Sequence, residues 1–186
     1  EINFDFYNFG KKNKNKIFYV IKRSPGAGLF SNLIYVFNHL EIAKKNNFIP
    51  IVDMENFTTI YNEEKKIDNS FNAWDYYFEK INKYKLQDVY KSKRVIITKD
   101  KFFKQFHNTI SNLKFQKISS NYFKIKKKFL IQSDNFFKKF LNENTLAVHY
   151  RGTSYKTSAN HPFPTTHNQT INKINQLIAS HNYEKI

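Results

Sequence analysis

Two stretches of the chain carry residue types that could handle a phosphorylated ligand. The first is Gly26-Ala27-Gly28-Leu29-Phe30-Ser31-Asn32. Glycines between a strand and a helix let the backbone approach a ligand, and the free N–H groups of a helix start favour an anion. The lysine and serine/threonine pair of a P-loop is missing, as is the third glycine of a dinucleotide fingerprint. The same turn could equally serve only to join strand to helix. The second stretch is His149-Tyr150-Arg151-Gly152-Thr153. Arginine presents a planar fork of donors that matches a diphosphate. A histidine two residues earlier points to the same side of an extended chain and can donate to another phosphate oxygen. The alternative is a packed core histidine beside a surface arginine. Lys156 and His161 follow within the polar, proline-containing stretch from Ser154 to Thr166, too long for an ordinary connection. Asp53 and Glu55 are the carboxylates available as a general base, and Asp53 reads equally well as a strand-end cap.

Positioning these residues requires strands that end beside them. Ile17 to Lys22 is a short apolar, β-branched and aromatic run, the pattern of a buried strand. Three of the chain's glycines and prolines then fall between Ser24 and Gly28. A helix is expected over 30–47, with Phe30, Leu33, Ile34, Phe37 and Leu40 on its inner face. Ile49 to Met54 is the next strand. Strand, glycine-rich turn, helix and strand make the βαβ unit of a parallel sheet. Further strands are expected at 94–98 and 146–150, a short helix at 86–90, a longer one at 122–141 and a closing one at 166–180. The inner face of the last would be Ile171, Ile174, Leu177 and Ile178. The pattern predicts an α/β fold whose parallel sheet is Rossmann-like, with an N-terminal domain over 1–142 and the start of a second over 143–186. A βα pair that begins at Leu146 and breaks off at Ile186 suggests a longer native protein, and Glu1 in place of an initiator methionine suggests a trimmed or internal start.

Composition narrows the chemistry. The 186 residues include no cysteine, which excludes a disulfide framework, a thiolate metal site and a cysteine nucleophile. Lys and Arg total 31 against 15 Asp and Glu, a formal net charge of +16. Such a charge suits a polyanionic partner. The basic runs are almost all lysine, however, whereas readers of bases and phosphates rely on arginine forks. No apolar run approaches the ~20 residues that span a bilayer, and the first residues lack the pattern of a signal peptide. A cytoplasmic protein with an electrostatic pull toward anionic headgroups of the inner membrane surface is the resulting expectation.

Taken together, the G-x-G-x-x-x-N turn of Gly26, Gly28 and Asn32, the H-x-R-x-T of His149, Arg151 and Thr153, and the following Lys156 and His161-Pro162 resemble the fucosyltransferase superfamily. That group includes α-1,6-fucosyltransferases, nodulation-factor fucosyltransferases and protein O-fucosyltransferases. The resemblance covers about 17–56 and 146–180. It implies two Rossmann-like domains facing a cleft (the GT-B arrangement), the second, begun at 143–186, binding the donor, together with a GDP-sugar donor, no cofactor and no metal. It carries diphosphate contact to Arg151, the neighbouring donor-binding histidine to His149 and a place near donor or acceptor to Asn32; Thr153, Lys156, Gly26 and Gly28 complete the donor-binding candidates. Gly152 stands where many members have a second arginine, and Ser154 where many have aspartate. The implied activity is inverting transfer of fucose or a related sugar from the nucleotide-sugar donor to a surface glycan acceptor, with Arg151 as a catalytic residue. The family's acidic base has no clear equivalent in these motifs, and Asp53 is the catalytic candidate from its place at a strand end. The runner-up from charge alone is a non-catalytic basic module binding nucleic acid or anionic polysaccharide.

Overall fold

The computed structural model describes residues 4–25, 28–99, 120, 122–142, 144–150 and 163–184. The chain forms two compact units, Glu1–Phe129 and Leu130–Ile186. The division falls inside a helix, whereas the sequence set the domain boundary at 142/143.

Three apolar runs build the sheet of the first unit. Strands β2 (Phe18–Ile21), β3 (Ile49–Val52) and β4 (Val95–Ile97) are parallel, with Phe18 opposite both Ile49 and Val95. A two-residue strand, β1 (Phe6–Tyr7), lies antiparallel to β4, with Phe6 opposite Ile96. The order is β1-β4-β2-β3, a mixed four-stranded sheet within an α/β fold. All four residues of β2 are buried because both faces of this central strand are covered. Alternation sends Tyr19 and Ile21 into the larger core with Leu33, Val36, Leu40 and Trp74. Phe18 and Val20 go to a smaller core with Ile51, Val89 and Val95. Burying each such side chain contributes about 1.5–3 kcal/mol.

Helix α1 (Leu29–Lys45) returns the chain from β2 to β3. Its end is set by asparagine. Asn47 takes φ 55°, Phe48 N donates to Ala43 O at 2.9 Å and Asn47 N to Lys44 O at 3.3 Å, a Schellman closure. Leu33, Phe37 and Leu40 are buried as expected, but Phe30 is 77% exposed and Ile34 is also exposed. The helix is covered from more than one side. Phe123 packs edge-on against Phe37 at 5.2 Å, while Asn32, Val36, His39 and Ala43 form a second buried stripe.

β3 is a sheet edge, which is why Pro50 is tolerated in it. Asparagine side chains occupy that edge. The Asn72 amide behaves as one peptide unit of a missing strand, accepting from Met54 N at 3.0 Å and donating to Val52 O at 2.8 Å. Asn82 donates to Pro50 O in the same way. Two short helices follow, α2 (Trp74–Tyr77) and α3 (Leu86–Val89). The helix expected from Tyr122 begins only at Lys127. Residues 124–126 run along 77–79 instead, with Glu79 N donating to Lys124 O at 2.8 Å and Lys126 N to Tyr77 O at 3.0 Å.

Helix α4 (Lys127–Phe140) leads into the second unit, which contains α5 (His167–Ser180). Thr166 caps α5 through a reciprocal box, its hydroxyl accepting from Gln169 N at 3.2 Å while Gln169 Oε1 accepts from Thr166 N at 2.9 Å. The strand expected at 146–150 is absent: Leu146–Tyr150 has no ladder partner, and Val148 and Tyr150 are exposed. The physical reason is that a strand exists only as a member of a pair, and among the described residues of this unit no other strand is present. The intended inner face of α5 is likewise only part-covered, with Ile171 and Ile178 exposed.

Candidate functional site

The parallel strands run β4-β2-β3, so the chain leaves β2 toward β3 on one side and later enters β4 on the other. Open α/β sheets place ligands in the crevice that such a reversal creates, outside the carboxyl ends of the strands. Thr98 ties the two strand ends together there. Its hydroxyl accepts from Lys22 N at 3.0 Å and from Tyr35 Oη at 3.3 Å, and Thr98 N donates to Val20 O at 2.9 Å. Two cations follow directly on β2. The Arg23 guanidinium lies over the Tyr35 ring at 5.1 Å, and the Lys22 ammonium over Phe57 at 5.0 Å. Lys99, just past β4, pairs with Asp5. Sequence reasoning missed Lys22 and Arg23 as site residues. The signal was available: they are the first two residues after a buried strand and precede the glycine-rich turn.

Gly28 opens α1 from this crevice with φ −56° and ψ 155°, an ordinary extended conformation. Clustered glycines often signal a positive φ, but Gly28 has none, and Gly26 lies outside the described residues. Among the described residues, a Cβ built on Gly28 would meet nothing within 4 Å, which leaves that side of its backbone open to an approaching group.

Asn32, expected to face the cleft, is 3% exposed and turned inward. It lines a small apolar cavity with Leu29, Met54, Tyr61 and Trp74. The reason is helical phase: Asn32 lies on the same stripe as Val36, His39 and Ala43, all packed into the core.

Asp53 is fully buried at the end of β3. One carboxylate oxygen accepts from Glu55 N at 3.1 Å and Asn56 N at 2.8 Å. The other accepts from Asn56 Nδ2 at 2.9 Å and Tyr90 Oη at 2.6 Å. Four donors saturate the group, the arrangement of a strand-end cap rather than of a base waiting for a proton. Burial, and then the bond to Asp53, raise the Tyr90 hydroxyl well above the usual tyrosine range, so it remains a donor.

His149 is exposed, which removes the core-histidine alternative for it. Arg151, Thr153, Lys156 and His161 lie outside the described residues. Gly28, Asn32 and Asp53 belong to the first unit and His149 to the second. Among the described residues, no group of three His, Asp or Glu side chains is placed to hold a metal ion, and no helix is long and apolar enough to cross a membrane. Comparison with protein-family models, with curated proteins and with solved structures finds no match to this chain.

Proposed function

We propose that the chain is part of a glycosyltransferase that moves a sugar from a nucleoside diphosphate to a glycan. Fucose or a related sugar on GDP is the leading donor, and a surface glycan is the acceptor. The observation that supports this reading is the β4-β2-β3 reversal, with Lys22, Arg23 and the open Gly28 turn at its carboxyl end. It is where a Rossmann-like half of a GT-B enzyme would meet its nucleotide. The motif around Arg151 adds the chemistry. In an inverting transfer the acceptor oxygen attacks the anomeric carbon as the bond to the diphosphate breaks, and the electron pair leaves on the diphosphate. A fixed guanidinium stabilises that charge where it develops. Losing such a contact costs about 3–4 kcal/mol of barrier, or about 10² to 10³ in rate. With Asp53 engaged as a cap, the reading rests on charge stabilisation by Arg151 and donor contacts from His149, Thr153 and Lys156. No metal is assigned to the reaction.

The test uses the full-length protein as wild type, Arg151→Lys and Arg151→Ala. GDP affinity, sugar transfer from GDP-fucose and folding by circular dichroism are measured for each. The alanine variant should fold and fail to transfer. Lysine should rescue poorly, because a point charge cannot fork across two oxygens. Near-normal transfer by the alanine variant would remove Arg151 from the mechanism. The net charge of +16 favours one second reading, a basic binding module. Polyanion binding that is steep in salt, with no GDP binding, would favour it over the enzyme.

A further inference from the structure

A groove of about 800 Å³ runs along the β3 edge of the first unit, and none of the donor-binding candidates among the described residues lines it. Clefts of this size are typical of small-ligand sites. Its floor is the Asn72- and Asn82-capped edge of β3. One wall is a two-residue hairpin in which Ile67 and Ser70 exchange backbone bonds at 3.0 Å and Asp68 and Asn69 both have positive φ. Lys126 and Lys128 pin that hairpin through Asp68, at 2.8 and 2.7 Å. The groove is thus pre-formed by its own polar contacts.

The lining differs from the rest of the molecule. On a chain with twice as many cations as anions, Glu55, Asp68, Asp75 and Glu79 line this groove beside as many lysines (Lys66, Lys80, Lys85 and Lys126). Such a balance offers no net pull on a polyanion. Burial raises the Asp75 carboxyl above its ordinary range, although the Ser70 hydroxyl donates to it at 3.0 Å. Trp74 is 3% exposed, lines the groove, and has an indole N–H with no acceptor among the described residues. A buried donor left without a partner is destabilising. Phe71 presents a partly exposed ring in the same lining, with the Lys66 ammonium over it at 5.3 Å.

We infer that this groove binds an uncharged oligosaccharide, whose hydroxyls meet the amide and carboxylate groups of the lining while the C–H face of a sugar ring lies on Phe71. Sugars need donors and acceptors in mixture together with an apolar platform, and this lining supplies both. The inference deepens the glycosyltransferase reading by assigning the groove to the glycan acceptor.

Trp74 is the chain's single tryptophan, so intrinsic fluorescence reports on the groove directly. The full chain is titrated with neutral trisaccharides of glucose, galactose, mannose and N-acetylhexosamine, and with heparin as the polyanion. At least one neutral trisaccharide should shift the emission saturably and equally at low and high salt. Phe71→Ala and Asp75→Asn should each weaken that response about tenfold with unchanged thermal unfolding. The inference is overturned if no neutral sugar gives a saturable shift, if only heparin does, or if both folded variants respond like wild type. Transfer and GDP binding are assayed in parallel. Transfer without sugar binding in the groove sinks this inference alone, whereas sugar binding without GDP binding sinks the enzyme reading and leaves a glycan-binding groove.

Discussion

The Tyr90 hydroxyl and Asp53 Oδ2 are 2.6 Å apart, and this bond joins the end of β3 to the segment leading into β4. A hydrogen bond to a charged acceptor contributes about 1.5–3 kcal/mol. Tyr90→Phe should lower stability by that amount in denaturant unfolding without touching any group proposed to bind donor. Asp53→Asn should cost more, because its amide N–H₂ would face the donors of Tyr90 or Asn56. Any loss of transfer in Asp53→Asn should therefore track loss of folded protein. A variant that folds like wild type yet cannot transfer would restore Asp53 as a base.

Much of the first unit was legible in the sequence, for a physical reason. β2, α1, β3 and β4 are continuous apolar or periodic runs whose partners lie in the same unit. The misses each have a cause outside local pattern. β1 is two residues long and exists only because β4 offers it an edge. The run 146–150 has strand composition and no strand beside it among the described residues. Periodicity located an inner face of α1 but not its extent, since Phe123 approaches from a distant segment and Phe30 and Ile34 stay exposed. Asn32 carried a motif-based role, yet its helical phase put it in the core. The Asp53–Tyr90 bond spans 37 positions and has no sequence signal.

The two described glycines differ in what a side chain would meet. A Cβ at Gly10 would lie 2.7 Å from Lys91 O, a backbone atom that cannot swing aside. Gly10→Ala should lower stability by about 1–3 kcal/mol, the usual cost of overpacking. At Gly28 the space is open and φ suits alanine. Gly28→Ala should leave the melting temperature nearly unchanged, because about 0.4–1 kcal/mol of unfolded-state entropy is offset by alanine's poorer fit at a helix N-cap. If the turn admits a nucleotide against its backbone, the same variant should bind GDP more weakly. Unchanged GDP affinity would reduce Gly28 to a connector.

Lys22 is the cation at the strand reversal whose removal should disturb the fold least. Its ammonium rests on Phe57, a contact worth about 0.5–1 kcal/mol. Lys22→Ala should therefore unfold within about 1 kcal/mol of wild type. GDP affinity, measured by calorimetry, should fall about tenfold at low salt and less at high salt, since a half-buried charge is still partly screened. Equal affinity for wild type and variant at both salt concentrations would place the nucleotide away from this crevice.

His39 lies on the buried face of α1 and is 1% exposed. Its Nδ1 lies 2.8 Å from Tyr19 Oη, and its ring packs 4.4 Å from that of Tyr35. Burial lowers its pKa from 6.5 to about 3, so the folded protein holds the ring neutral. The unfolded chain takes up a proton below about pH 6.5 that the folded chain refuses until about pH 3. More protons on the unfolded state means that stability falls as pH falls through this window. The slope approaches about 1.4 kcal/mol per pH unit, which integrates to about 2 kcal/mol between pH 7 and pH 5. Asp68, held down to about 2 by its bonds to Lys126 and Lys128, adds little there because it titrates at lower pH. Urea unfolding at pH 7, 6 and 5 should show the loss in wild type, and His39→Gln, which cannot titrate, should be nearly flat across the same range. A wild type as flat as the variant would mean that the buried ring accepts its proton with the fold intact.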